Sequence, residues 1–332
     1  MPKARKRKQR GSEPGTKSPQ STDAPESAAA SGDAATARAA PRRGRPRLAL
    51  VLLTFLVQGA FLFACYELAR RWALPEEVLI DDAIAVGSGA AFLRLDFVED
   101  VPPLLRSDPE DWTIELWPRD AAEGSDEGVL RGSPDSEGLV RLEGPLPSGP
   151  GRFAYRGRAT GPGGAEREHD VFVHILPPGR KVVLASLVGI ERPLPPDGFE
   201  AVQFERVRKA FEELASDRTI LWLAAEPWPR PDRLDRFLER SRLPSGPLVY
   251  LVLPARQSRW VERELREWIR MAIAAGLDVT GAVTVDPVFA EGAGALALRT
   301  VLVDAKYPEG YVMPGVARVN SWEKVAPALQ GR

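Results

Sequence analysis

The sequence is poor in the residues that bind transition metals. It contains one cysteine, Cys65, and two histidines, His169 and His174. A single cysteine excludes an intramolecular disulfide framework and any zinc site built from cysteines. The two histidines are five positions apart on a predicted strand, so they point to opposite faces and do not share a metal. Transition-metal chemistry is therefore not expected of this chain.

The chain also has little net charge, −1 in all, but its charge is unevenly distributed. Residues 1–47 hold twelve Lys or Arg against four acidic residues, with few apolar side chains. Such a segment buries too little surface to offset its ordering entropy, which predicts a disordered tail. The basic cluster at 3–10 is interpreted as a solvated tail, and anionic lipid head groups are its alternative partner. No nucleic-acid partner is expected.

Only one long stretch is free of charge, the nineteen residues Leu48–Tyr66. As a helix it would span about 28 Å, close to the thickness of a bilayer core. The stretch predicts a transmembrane helix over 48–70 that attaches the protein to a membrane. The arginines at 42, 43, 45 and 47 outnumber those at 70 and 71, so we expect a cytoplasmic N-terminus and extracytoplasmic C-terminal domains. Reversed topology, with the C-terminal domains cytoplasmic, is the alternative.

Residues 78–178 show short runs in which apolar and polar side chains alternate, separated by turns rich in Gly, Pro and Asp. Alternation with period two is typical of half-buried strands, so the pattern predicts a small antiparallel β-sandwich. The phrase Asp135–Leu142 resembles a hairpin of transthyretin-like and immunoglobulin-like accessory domains. The resemblance implies a domain of that kind here.

Residues 179–332 alternate between apolar runs and amphipathic stretches, which predicts an α/β domain with a parallel sheet and right-handed crossovers. Sites in such sheets form at the carboxyl ends of the strands, so the loops after Ser186 and Ala224 are decisive. The predicted strands are 181–186, 219–224, 248–253, 281–286, 300–304 and 317–319.

Two segments of this region, 220–228 and 234–248, resemble the App1-type phosphatidate phosphatase domain. This family is a branch of the haloacid dehalogenase (HAD) superfamily. The most distinctive matches are Pro227-Trp228 and Leu243-Pro244-Ser245-Gly246-Pro247. The resemblance implies a HAD-like three-layer α/β domain with a parallel sheet, preceded by a β-sandwich. It also implies Mg²⁺-dependent phosphatase chemistry.

The catalytic positions depart from that family. The resemblance places an aspartate nucleophile and a second aspartate, the acid/base, directly after the first strand. This chain has Leu187 and Gly189 there, and neither side chain can attack phosphorus or hold a metal. Asp286 is the one remnant of the family's later acidic metal ligand, or else an ordinary helix cap. One carboxylate alone does not make a Mg²⁺ site.

The first functional hypothesis is a non-catalytic binding or scaffolding module, a pseudophosphatase without a cofactor, whose binding residues are Trp228 and Arg230. The alternative is an active phosphatidate or phosphomonoester phosphatase that uses Mg²⁺ and displaced acids. At least two such acids must then converge on one cleft. A third hypothesis is that Trp228 and the Pro-rich loop around it pack against a protein partner. The candidate displaced acids are Glu191, Glu226, Asp286 and Asp304.

Overall fold

A computed structural model describes residues 45–72, 77–98, 108–121, 126–190, 199–303 and 313–331. The protein is of mixed α/β type with two β-sheets. The chain divides into two units, Met1–Leu56 and Val57–Arg332, and both sheets belong to the second. Of the predicted tail, residues 1–44 lie outside the described part of the chain.

The first described element is helix α1, Arg45–Trp72, which is 28 residues long and has exposed apolar side chains. The predicted transmembrane helix was nevertheless wrong: within the described ranges, no helix has both the length and the apolar content that crossing a membrane requires. α1 extends beyond the predicted span of 48–70 at both ends, and charged residues lie near both of its ends, at Arg45, Arg47, Glu67, Arg70 and Arg71. The single-pass membrane localisation rested on that helix and was wrong on the same finding.

The first sheet lies between residues 77 and 176, and we call this part the β region. Its strand order is β1-β3-β2-β8-β7-β4-β5, with β6 paired to β3. The strands are β1 Glu77–Ile80, β2 Ala83–Val86, β3 Ala91–Val98, β4 Thr113–Pro118, β5 Leu130–Gly132, β6 Leu139–Leu142, β7 Gly151–Thr160 and β8 Glu166–Leu176.

The strand pairs of the β region are antiparallel except for β2 and β8, which run parallel. The expectation of a purely antiparallel sandwich was therefore wrong at this pair. These two strands are far apart in the chain, so no hairpin fixes their relative direction. Inward-facing side chains from β1, β3, β4, β6, β7 and β8 form one core that includes the fully buried Trp112. The Trp112 ring packs against Phe97, with centroids 5.4 Å apart.

The second sheet and its helices form what we call the α/β region. All six strands are parallel, in the order β11-β10-β9-β12-β13-β14. The strands are β9 Lys181–Ser186, β10 Arg218–Glu226, β11 Leu248–Val252, β12 Asp278–Thr284, β13 Thr300–Val303 and β14 Val316–Val319. The helices are α2 Phe199–Ala215, α3 Pro231–Ser241, α4 Ser258–Ala274, α5 Pro287–Ala295 and α6 Val325–Gln330.

Helices cover both faces of this sheet. On one face, α2, α3 and α6 pack around Phe211 and Trp222, whose ring centroids are 4.8 Å apart. On the other face, α4 and α5 pack around Trp268 and Phe289. The apolar residues recur three and four positions apart along α4, which gives that helix a single buried stripe. β9 is the first strand of this sheet in chain order, and it lies inside the sheet because β10 and β12 flank it on opposite sides.

The two regions meet along β11, an edge strand of the second sheet. Asp81 and Asp82 join β1 to β2 and pair with β11. The Asp81 carboxylate accepts the Tyr250 N–H at 2.7 Å. An exposed strand edge is a template for pairing with other chains, and charged residues are one means of blocking it. The β region therefore covers one edge of the α/β region.

A buried cluster of charged side chains lies in the same junction. The Arg94 guanidinium contacts Glu264 at 2.9 Å and Asp96 at 3.3 Å. Burial raises the pKa of Asp96 to about 6; the positive charge of Arg94 lowers it only in part, and Glu264 raises it further. Burial, and next the charge of Asp96, also raises the pKa of Asp81 well above its usual value. The junction thus contains carboxylates that resist ionisation.

Candidate functional site

The carboxyl edge of the six-stranded sheet brings together the loops that follow β9, β10, β11 and β12. In this strand order the chain leaves β9 toward β10 on one side and later returns to β12 on the other. Such a reversal point, at the carboxyl ends of the strands, is where ligands bind in open α/β sheets. The described residues at this edge include Leu187, Trp228, Arg256 and Asp286.

The family resemblance placed the nucleophile and the acid/base at Leu187 and Gly189, and neither residue carries a reactive side-chain group. Leu187 is fully buried in the core beside α2, and its N–H donates to the Leu223 carbonyl at 2.8 Å. Gly189 has a φ of +87°, which L side chains rarely adopt. A Cβ on Gly189 would lie 2.7 Å from Cγ2 of Val285. An aspartate at Gly189 would therefore be strained in this loop conformation, and Val285 would have to shift.

Asp286 is buried, and its Oδ1 atom makes two local contacts. Its carboxylate caps α5 by accepting the Val288 N–H at 3.2 Å, and it contacts Nη2 of Arg256 at 3.1 Å. Its own N–H donates to Oγ1 of Thr284 at 2.9 Å. These contacts match the helix-cap interpretation of Asp286. Both carboxylate functions observed here, the cap and the ion pair, are structural.

The other candidate acids do not gather around Asp286 in the described part of the chain. Glu226 ends β10, and β9 lies between β10 and β12. Two strand spacings separate their backbones by about 10 Å, so Glu226 and Asp286 do not lie on neighbouring strands. Glu191 and Asp304 lie outside the described residues. Among the described residues, no group of three or more His, Cys, Asp or Glu side chains is placed to hold a metal ion.

The Mg²⁺ implied by the family resemblance therefore lacks a fitting set of ligands in the described residues. Leu187 and Gly189 offer no side-chain oxygen, and Asp286 is directed to Arg256 and to the cap of α5. Mg²⁺ requires near-octahedral oxygen coordination, usually with one or two carboxylates. We derive no metal-dependent step for this site.

Three polar residues at this edge were not singled out from the sequence. Ser186 ends β9, is fully buried, and its Oγ has no hydrogen-bond partner among the described residues. The β9–β12 register places Thr284 level with Ser186 on the neighbouring strand. Arg256 follows β11 and its side chain is 55% exposed. The signal in the sequence was the hydroxyl residue that ends each of two apolar strands, Ser186 in β9 and Thr284 in β12.

The predicted binding residues lie on the loop from β10 to α3. Trp228 is 51% exposed, which is unusual for a tryptophan, and Arg230 is exposed as the residue before α3. Outside α1, Trp228 and Ile273 are the large hydrophobic side chains that are exposed in the described ranges. Trp228 thus presents an apolar ring to solvent at the edge where ligands of α/β sheets bind.

Comparisons with known proteins do not assign the chain to a family. No family model matches it, and no curated protein matches it. Among solved structures, CopC from Methylosinus trichosporium OB3b is similar at 14% identity and a TM-score of 0.19, over 30% of this chain and 95% of CopC. A family 39 glycoside hydrolase from Bacteroides cellulosilyticus WH2 is similar at 10% identity and a TM-score of 0.20. That match covers 68% of this chain and 50% of the hydrolase.

A 2,6-sialyltransferase from Photobacterium sp. JT-ISH-224 is similar at 8% identity and a TM-score of 0.17, over 60% of this chain and 40% of the enzyme. The chain thus spans half or less of the length of the hydrolase and of the sialyltransferase. Similarities at these TM-scores carry no conclusion about fold or function.

Proposed function

We propose that the α/β region is a non-catalytic binding module, a pseudophosphatase that has the layout of a phosphatase without its nucleophile. The observation that carries the proposal is the burial of Leu187 at the nucleophile position. Gly189 supports it, because its positive φ and the Val285 methyl group 2.7 Å from an added Cβ disfavour an acid/base side chain there. A nucleophile and a general acid are both required for aspartyl-phosphate chemistry.

The same edge retains groups suited to binding a phosphate ester. Ser186 supplies a buried hydroxyl without a partner among the described residues. Arg256 and Arg230 are exposed, and an arginine guanidinium matches phosphate oxygens with paired N–H donors. Trp228, two residues before Arg230 on the same loop, offers an exposed apolar ring. A ligand with a phosphate and an apolar part fits this set of side chains.

Two measurements on the full chain test the proposal. The first is turnover of p-nitrophenyl phosphate and of phosphatidate with Mg²⁺, for which we expect no rate above the buffer blank. The second is calorimetric binding of p-nitrophenyl phosphate, which the substitution Arg230→Gln should weaken. The matched control is Arg206→Gln, which changes an exposed arginine on α2 that contacts Glu323 at 3.7 Å.

Turnover that disappears in Glu191→Gln or Asp304→Asn would overturn the proposal in favour of the active phosphatase with displaced acids. Absence of both turnover and binding would remove the phosphate ester as ligand. Binding that Arg230→Gln and Arg206→Gln weaken equally would place the ligand elsewhere on the protein.

A further inference from the structure

A second cleft lies between the β region and α3, at the opposite edge of the six-stranded sheet from the candidate site. Its volume is about 360 Å³, and its floor includes Asp82 and Leu248. Leu248 is the first residue of β11, which places the cleft near the amino ends of the strands. Pockets for small ligands commonly have about 300–1,000 Å³ and occur where two structural layers meet.

One wall of the cleft belongs to the β region and contains four charged side chains, Asp82, Arg119, Arg152 and Asp170, of which Arg152 alone lacks a polar partner in the described part of the chain. The Arg152 guanidinium lies 3.4 Å from the centre of the Phe172 ring, a cation–π contact that fixes its position. Arg119 is held next to it in the lining by an ion pair with Asp170 at 3.1 Å. Arg152 has no ionic partner among the described residues. Its N–H donors are thus available to a ligand.

The opposite wall is formed by α3 and the residues that follow it. Asp235 and Glu239 are four residues apart, so they lie on the same helix face, and both line the cleft. Arg242 follows the helix with a φ of +54°, a position where glycine is the usual residue. In the described part of the chain, Glu239 and Arg242 have no ionic partner. Three charged side chains without an ionic partner among the described residues therefore line the cleft: Arg152 from the β region, and Glu239 and Arg242 from the α3 side.

We propose that this cleft binds a small zwitterion, a molecule that carries an amine together with a carboxylate or phosphate group. The anionic group contacts Arg152 and Arg242, because guanidinium groups bind carboxylate and phosphate through paired hydrogen bonds. The amine contacts Glu239 on α3. This site is separate from the carboxyl edge and does not depend on the function proposed for that edge.

Charge complementarity is the reason for choosing a zwitterion over a simple ion. An anion without an amine would be attracted by the arginines but repelled by Glu239. An amine without an anionic group would be attracted by Glu239 but repelled by the arginines. A molecule with both charges contacts Arg152 and Arg242 through its anionic group and Glu239 through its amine. Phe172 and Leu238 add apolar contact for the short carbon chain between the two charged groups.

Calorimetry on the full chain with defined probes tests the inference. The zwitterionic probes are phosphoethanolamine, whose half-probes are inorganic phosphate and ethanolamine, and β-alanine, whose half-probes are propionate and ethylamine. We expect at least one zwitterion to bind about tenfold or more tightly than either half-probe, as the loss of one charge-assisted contact implies. Tighter binding of phosphoethanolamine assigns a phosphate ligand, and tighter binding of β-alanine assigns a carboxylate ligand.

Substitutions locate the site. Arg152→Gln and Arg242→Gln should each weaken zwitterion binding about tenfold, while Arg206→Gln on α2 should leave it unchanged. Glu239→Gln should weaken zwitterion binding and strengthen binding of inorganic phosphate, an opposite pair of effects that loss of folding cannot produce. The inference is overturned if neither zwitterion binds more tightly than its halves, or if Arg152→Gln, Arg242→Gln and Glu239→Gln leave binding unchanged.

Discussion

Asp82 pairs with Leu248 in the way a neighbouring β-strand would. The Asp82 N–H donates to the Leu248 carbonyl at 3.0 Å, and the Asp82 carboxylate accepts the Leu248 N–H at 2.9 Å. The other carboxylate oxygen accepts the Phe172 N–H at 2.8 Å. One side chain thus satisfies backbone donors from both sheets, with His174 contacting it at 3.2 Å.

The substitution Asp82→Ala should lower the free energy of unfolding by about 3 kcal/mol, because it leaves two backbone N–H groups in the junction without acceptors. Chemical denaturation measures the loss. Asp170→Ala is the control, since it removes an exposed ion pair with Arg119 and should cost less than about 1 kcal/mol. Equal effects of the two substitutions would contradict the role given to Asp82.

Asp96 should make folding stability depend on pH. Burial raises its folded pKa to about 6, above the usual 3.8, so protonation favours the folded state. The contribution is complete below pH 3.8 and is lost as the pH rises through 6. Its size is on the order of 3 kcal/mol. The groups that face Asp96 are Arg94 from the same strand, Glu264 from α4 and Asp81 from the turn.

The test compares the parent protein with Asp96→Asn by denaturation between about pH 4 and pH 7. The parent should gain stability relative to the variant as the pH falls, because only the parent can take up the proton. Asp170→Asn, at an exposed ion pair, is the control for exchanging a carboxylate for an amide outside the junction. A constant difference for Asp96→Asn would show that Asp96 titrates at its usual pKa.

Gly189 and Gly179 form a matched pair for testing the loop after β9. Both have positive φ, +87° and +72°, but only Gly189 has a neighbour that a Cβ would strike. Gly179→Ala should cost about 1 kcal/mol through backbone strain alone. Gly189→Ala should cost about 1–3 kcal/mol more, because Cγ2 of Val285 lies 2.7 Å from the added Cβ.

The double substitution Gly189→Ala with Val285→Ala should recover part of that extra cost, since it removes the clashing methyl group. Thermal unfolding of the single and double variants gives the coupling. If Gly189→Ala and Gly179→Ala are equally destabilising, the loop has room for a side chain and the case against an acid/base at this position is lost.

Asp286 should behave as a helix cap in substitution experiments. Asp286→Ala removes the acceptor for Val288 N–H and should cost about 1 kcal/mol or somewhat more. Asp286→Asn keeps a capping oxygen and should lower the free energy of unfolding by only a few tenths of a kcal/mol, since asparagine caps helices about as well as aspartate. Arg256→Gln removes the ion pair on its exposed side and should cost less than about 1 kcal/mol. An Asp286→Asn variant as unstable as Asp286→Ala would mean that the charge matters more than the cap.

The strands of the α/β region could be predicted because each is a continuous apolar run. Segments such as 181–186 and 219–224 are buried on both faces, and burial of this kind is visible in composition alone. Asp286 could be given as a possible cap for a similarly local reason, its position before Pro287. These features depend on neighbouring residues in the sequence.

Features that depend on distant residues could not be predicted. The pairing of Asp82 with Leu248 joins residues 166 positions apart, and the parallel pair of β2 and β8 is set by the whole sheet. The burial of Leu187 could be guessed from its type, but the positive φ of Gly189 depends on the turn around it. The prediction of a membrane helix was wrong because it rested on one uncharged run. Such a run does not show where the helix begins and ends or what its terminal residues are.

The cover that Asp81 and Asp82 provide for β11 has a consequence for aggregation. If the α/β region were produced without the β region, the backbone donors of Leu248 and Tyr250 would face solvent along an apolar strand. Such an edge recruits further strands from other copies. We expect a fragment that begins after residue 178 to precipitate or to form oligomers through β11, whereas a fragment that begins at residue 77 keeps this edge closed.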